Sequence, residues 1–117
     1  MLTEDESEFG RIQVAPEILL SIAERNTLGT EGVVRHADVP SADLRGHNRR
    51  LRKDGILLSM DEDRVIFDIY VIMDANVNLM ETARRLQKAV IEGVSQMVGT
   101  MVNAVNVHVE NVAYPVA

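Results

Sequence analysis

Residues Arg64 to Asp74 constrain the fold of this chain more than any other stretch. Val65, Phe67, Ile69, Val71 and Met73 alternate there with Ile66, Asp68, Tyr70 and Ile72. Successive side chains of a strand point to opposite faces, so the pattern predicts a long strand with one wholly apolar face and one partly polar face. A central strand with one covered and one half-covered face has this composition. Shortly after it, Asn78 followed by Glu81 has the form of a capping box with Asn as the cap. Leu79, Ala83, Leu86, Val90, Val94 and Met97 then recur at spacings of 4, 3, 4, 4 and 3. That is the stripe of an amphipathic helix, and Gly99 is placed to end it in the left-handed conformation. An apolar strand face and an apolar helix stripe need covering, which predicts that these two pack together in one core.

The remaining elements are shorter. Phe9 to Val14 reads as a strand, with Ile12 and Val14 alternating against Arg11 and Gln13. Pro16 stands at a first helical position, where its missing N–H is harmless. Ile18, Leu19, Ile22 and Ala23 supply the helix's apolar stripe, and Asn26, Thr27 and Gly29 end it. Val33 to His36 reads as a second strand and Ile56 to Met60 as a third. Asp61-Glu62-Asp63 turns from the third into the long strand. The closing strand, about Val102 to Val112, sends Val105, Val107 and Val109 one way and Asn106, His108 and Glu110 the other. Residues 37–54 read as a polar, basic connection, with room for a turn or two of helix over Asn48 to Lys53. Residues 1–8 are acidic and are expected to be a disordered tail. The order β-α-β-β-β-α-β predicts an α+β, two-layer fold: one mixed sheet of about five strands with two helices on one face, forming a single domain over residues 9–114.

Composition narrows the function. Aromatic residues are only 3% of the chain, so the core is aliphatic and an aromatic-lined pocket or base-stacking platform is hard to build. The absence of cysteine removes disulfides, thiol nucleophiles and thiolate metal sites together. His36, His47 and His108 lack a second ligand at metal-type spacing, although His36 and His108 both fall on expected strands and are candidate neighbours across the sheet. The acids Asp61, Glu62 and Asp63 lack the alternation and the distant Glu of a calcium loop. Gly29 and Gly32 are not followed by the Lys-Ser or Lys-Thr of a phosphate loop. The expectation is a non-enzyme with no catalytic residues, no cofactor and no metal site. The start of the chain has neither the basic nor the apolar region of a signal peptide, and no apolar run approaches a membrane span. A cytoplasmic location is expected, peripheral to the membrane if a partner or charge brings the protein there.

One segment departs from the overall charge of −6. Residues 35–54 hold half of the basic residues and carry +3, which leaves −9 on the rest of the chain. Arg45, Arg49, Arg50, Arg52 and Lys53 form its densest part and are the candidate anion- or partner-binding residues, facing phosphate groups of nucleic acid or of anionic lipid. Nucleic acid is the less favoured partner, because no aromatic is interleaved and Gly46 stands alone where a backbone clamp needs two glycines.

Assembled, the segments resemble a known family. The opening Gly10-x-Ile12-x-Val14 with a helix reaching Ile22-Ala23, the pair Gly32-Val33, the strand Val65–Met73 and the helical Gln87-x-x-Val90 are all similar to the alkaline shock protein family of envelope stress response proteins. The most specific part is the closing Met97, Gly99, Val102, Val105, Asn106, Val107 and Val109. The resemblance covers residues 10–112. Members often carry Gly just before the second helix; Asn76 stands there, the next choice for a positive φ. The resemblance implies an abundant cytoplasmic protein without enzymatic activity or cofactor, which self-associates or is held at the membrane by a separate anchor protein.

Self-association also has a physical basis. An open sheet leaves two edge strands, and an unprotected edge attracts other strands. The candidates are Phe9–Val14, Val33–His36 and the Val-rich closing strand. If the closing strand is central instead, its valines serve only the core.

Overall fold

The computed structural model describes residues 4–44, 50–61 and 64–114. The elements run β1 (Glu4–Ser7), β2 (Gly10–Gln13), α1 (Pro16–Leu28), β3 (Val33–His36), α2 (Ser41–Leu44), β4 (Arg50–Lys53), β5 (Ile56–Asp61), β6 (Arg64–Asp74), α3 (Leu79–Val98) and β7 (Ala104–Ala113). As its alternation predicted, β6 is the spine of a mixed sheet of five strands. One side of β6 pairs in parallel with β7 along most of its length. The other side is shared: β5 pairs antiparallel with its first half and β3 with its second. The two meet at Tyr70, whose N–H donates to the Gly55 carbonyl and whose carbonyl accepts from Ala37 N–H. β4 pairs with β5 on the outside. The lateral order is therefore β4, then β5 and β3 end to end, then β6, then β7.

Both long helices cover one face. Val65, Phe67, Ile69, Val71 and Met73 of β6 are at most 1% exposed and share a core with Leu19, Leu20, Ile22 and Ala23 of α1 and Leu86, Val90 and Val94 of α3. Each fully buried side chain of this size stabilises the fold by roughly 1.5–3 kcal/mol relative to exposure. The caps of α3 are those its sequence predicts. The Asn78 side chain accepts from Glu81 N–H at 3.0 Å, and Gly99 takes a left-handed φ of 76°.

Several elements differ from the sequence reading. Glu4–Ser7, expected within a disordered tail, pair with β2 in a hairpin outside the main sheet. Arg11 bridges to Glu6 across it at 3.6 Å. β2, expected to join the main sheet, therefore does not. Its place in the count of five is taken by β4, inside the stretch read as a basic connection. The reason is local: Leu51 alternates with Arg50 and Arg52, and Asp54-Gly55 is a two-residue hairpin turn with Asp54 at φ 51°. The described short helix in this region is α2, over Ser41–Leu44; of the stretch read as room for a helical turn, Arg50–Lys53 are strand, and Asn48 and Arg49 lie outside the described residues. Asn76 does not have a positive φ; its N–H donates instead to the Asp74 carboxylate at 2.8 Å, and that local turn replaces the glycine. Two stripe positions also shift. Met97 is 60% exposed, and Val98, four residues after Val94, packs on the core in its place. Ile18 is 45% exposed, and Leu20 is buried instead.

Candidate functional site

The face of the sheet away from the helices is built from the residues that alternate with the core. β6 supplies Asp68, Tyr70 and Ile72, and the register sets Asn106 of β7 beside Asp68 and His108 beside Tyr70. The segment after β3 folds over part of this face, where Ala37, Val39, Leu57, Tyr70 and Ile72 form a second small core. This is the half-covered face that the β6 pattern implied.

The side chains left beside that cover form one polar cluster. The Tyr70 hydroxyl donates to Asp43 Oδ2 at 2.7 Å. The His108 ring stacks on the Tyr70 ring with centroids 4.3 Å apart and planes 10° from parallel. His108 Nε2 lies 3.0 Å from Asp68 Oδ1, to which Asn106 also donates at 3.2 Å. A carboxylate only accepts, so the imidazole donates in this contact. The cluster ties α2, β6 and β7 together. His108 therefore has a defined structural role, and His36 is not its neighbour: His36 pairs with Val71 on the other side of β6 and faces the helices. Among the described residues no group of three or more His, Asp or Glu gathers as a metal site would require.

β7 is an edge strand, with β6 its only partner among the described strands. Asn103 N–H donates to the Val65 carbonyl. Tyr70 turns its backbone groups to β5 and β3, so Phe67 and Ile69 turn theirs to β7; their partners Val105 and Val107 therefore aim their own N–H groups outward, and those of Ala104, Asn106 and His108 aim at β6. Val71 pairs with Val109 but Ile72 with Asn111, so Glu110 is the extra residue of a bulge. A bulge protects an edge by twisting it, which leaves Ala104–Val109 as the regular open stretch. Gln87 of α3 donates to the Val105 carbonyl at 2.9 Å and locks β7 under the helix. This is the role of the glutamine in the Gln-x-x-Val element.

The basic candidates are divided. Arg45 and Arg49 lie outside the described residues, and Arg50 begins β4. Arg52 is exposed and, paired with Leu57, belongs to the open face. Lys53 points the other way, toward α1, with Nζ 3.4 Å from Glu24 Oε1 and 3.3 Å from Ser21 Oγ. A feature missed by sequence reasoning lies nearby: an open groove of about 600 Å³ between α1 and the end of α3, lined mainly by Ile18, Ile22, Leu28 and Met97 with Arg25 at its rim. The departures of Ile18 and Met97 from their helix stripes create it.

Comparison with known proteins places this architecture. The uncharacterized protein Spy1535 of Streptococcus pyogenes serotype M6 is 32% identical over 105 residues, covering 89% of this chain and 80% of that protein. The uncharacterized protein YloU of Bacillus subtilis strain 168 is 25% identical over 116 residues, covering 96% of each. No solved structure matches the chain significantly. A family model matches residues 4–114, from the hairpin through the closing strand. The chain belongs to the alkaline shock protein 23 family, whose function is cell envelope-related.

Proposed function

We propose that the protein is a non-enzymatic domain of the envelope and alkaline stress response. In this reading it associates with itself and with a protein partner, a membrane anchor protein being the kind that fits, at the cytoplasmic side of the membrane. The observation that carries the reading is the open edge of β7. Its outward backbone groups over Ala104–Val109 offer a template on which a strand of another chain adds to the sheet. Paired with its own copy about a two-fold axis, β7 joins two sheets into one. No described helix is long and apolar enough to cross a membrane, so a partner or a charged surface supplies the attachment. Arg52, with Arg45, Arg49 and Arg50, is the cationic part of that surface, whereas Lys53 is engaged by Glu24.

Sedimentation over a concentration series tests the reading, with an oligomer as the expected result. Val107→Pro removes an outward N–H without touching the bonds to β6 and is expected to weaken the assembly. A single-chain mass for the parent protein at high micromolar concentration refutes self-association. For the attachment, the parent is expected to bind anionic vesicles at low salt, and the joint change of Arg49, Arg50 and Arg52 to Gln to reduce it. Equal binding by both proteins removes the arginines from the surface.

A further inference from the structure

We infer that the N-terminal hairpin of one copy docks into the groove between α1 and α3 of a second copy. The inference deepens the self-association reading and rests on it, but uses a surface separate from β7.

Two unpartnered apolar features point to each other. The hairpin β1–β2 pairs with no other strand among the described residues, and every residue of β2 is exposed. Phe9, at its turn, is 91% exposed and Ile12 is 64% exposed. A lone two-stranded hairpin is marginal in water, so a contact that covers these side chains also orders it. The groove is the complementary feature: Ile18, Leu28 and Met97 are 45%, 49% and 60% exposed along one open, mostly apolar trough.

Charge matches in the same sense. Glu4, Asp5 and Glu8 flank Phe9 in the sequence, beside Glu6, which bridges to Arg11 within the hairpin. Arg25 stands on the groove, its guanidinium 3.1 Å from Met97 Sδ, and lines the adjoining recess with Arg85, two cations against the one acid there, Glu31. Neither arginine has a carboxylate partner among the described residues. The groove's own acid, Glu24, is already neutralised by Lys53. An acidic hairpin with an aromatic tip thus meets an apolar trough with a cationic rim.

The occupant is a second copy rather than the chain's own hairpin. Val14 and Ala15 alone separate β2 from α1, and Ala15 is extended at φ −65° and ψ 139°. A residue before proline is held in that region, so the hairpin leads away from α1 and does not double back along it. The longest dimension of the molecule is 60 Å against 31 Å and 19 Å for the others. The contact joins different patches on the two copies, so each copy keeps one free hairpin or one free groove for the next.

The test uses the full chain carrying Val107→Pro, so that the β7 edge does not contribute. Phe9→Ser removes the tip and Met97→Glu spoils the groove; both positions are exposed, and circular dichroism checks that the fold is kept. In sedimentation, the Val107→Pro parent is expected to associate, and each added substitution to weaken that association at least ten-fold. A 1:1 mixture of the two variants is expected to restore a complex, because one supplies the intact hairpin and the other the intact groove. Association unchanged in either variant, or a mixture that stays monomeric, overturns the docking. So does a Val107→Pro parent that is monomeric while the unmodified protein associates, a result that leaves the β7 reading standing. A Phe9→Trp protein whose emission is blue-shifted at every concentration, as a monomer, shows the hairpin in its own groove and also overturns the proposal.

Discussion

Replacing Gly55 by alanine tests the junction at which β3 and β5 meet on β6. A Cβ built on Gly55 lies 2.5 Å from the Ala37 carbonyl oxygen and 2.7 Å from that of Tyr70. Both obstacles are backbone, and both belong to the hydrogen-bonded crossing at Tyr70, so neither can move alone. Relief to ordinary contact requires a shift of several tenths of an ångström in two strands at once. That displaces the Ala37–Tyr70 and Tyr70–Gly55 hydrogen bonds, of 2.9 Å and 2.8 Å, each contributing about 0.5–1.5 kcal/mol net. Overpacking adds roughly 1–3 kcal/mol. The expected loss is about 2–6 kcal/mol, a large part of the stability of a domain this size. At roughly 4 °C per kcal/mol, melting falls by about 8–24 °C. Thermal denaturation followed by circular dichroism reads this directly. Gly29→Ala is the comparison: Gly29 has an ordinary φ of −80° and its Cβ would lie 3.2 Å from one backbone oxygen, that of Arg25, so a much smaller loss than at Gly55 is expected. A Gly55→Ala protein that melts within about 2 °C of the parent refutes the junction as described, on the same scale of degrees per kcal/mol.

Other changes probe the core, a cap and the open face. Val90 is fully buried beneath α3, so Val90→Asp is expected to lower urea stability by about 3–5 kcal/mol through an unpaired buried charge; an unchanged midpoint counts against the burial. Asn78→Ala removes the side-chain acceptor of Glu81 N–H and is expected to cost about 1 kcal/mol, seen as a lower melting temperature. Tyr70→Phe removes the donor to Asp43 and is expected to cost about 1 kcal/mol and to speed proteolysis near Ser41–Leu44. Cleavage there at the parental rate disconnects the hydroxyl from the hold on α2.

The parts of this protein that its sequence determined alone are those encoded by neighbouring residues. The alternation at Val65–Met73, the stripe through Leu86, Val90 and Val94, the Asn78 cap and the left-handed Gly99 follow from periods and caps that act within one element. Fold class followed from them, since an apolar face and an apolar stripe have few ways to cover each other. The candidate site was less legible. Asp43, Tyr70 and His108 are far apart in sequence and meet only because β6 pairs with β7 in one register and α2 closes over β6. His108 alone reads as an exposed strand histidine. Pairing partners were decided by the tertiary structure for the same reason. Arg50–Lys53 look like a charged loop until β5 offers Leu58 opposite Leu51, and β1–β2 look like tail and strand until they pair with each other. Whether β7 is central or an edge depends on which strands remain to occupy its far side. Local sequence carries the period of a strand, but the identity of its neighbours is a competition among all strands for the same backbone hydrogen bonds, and that competition is settled only when the whole chain has packed.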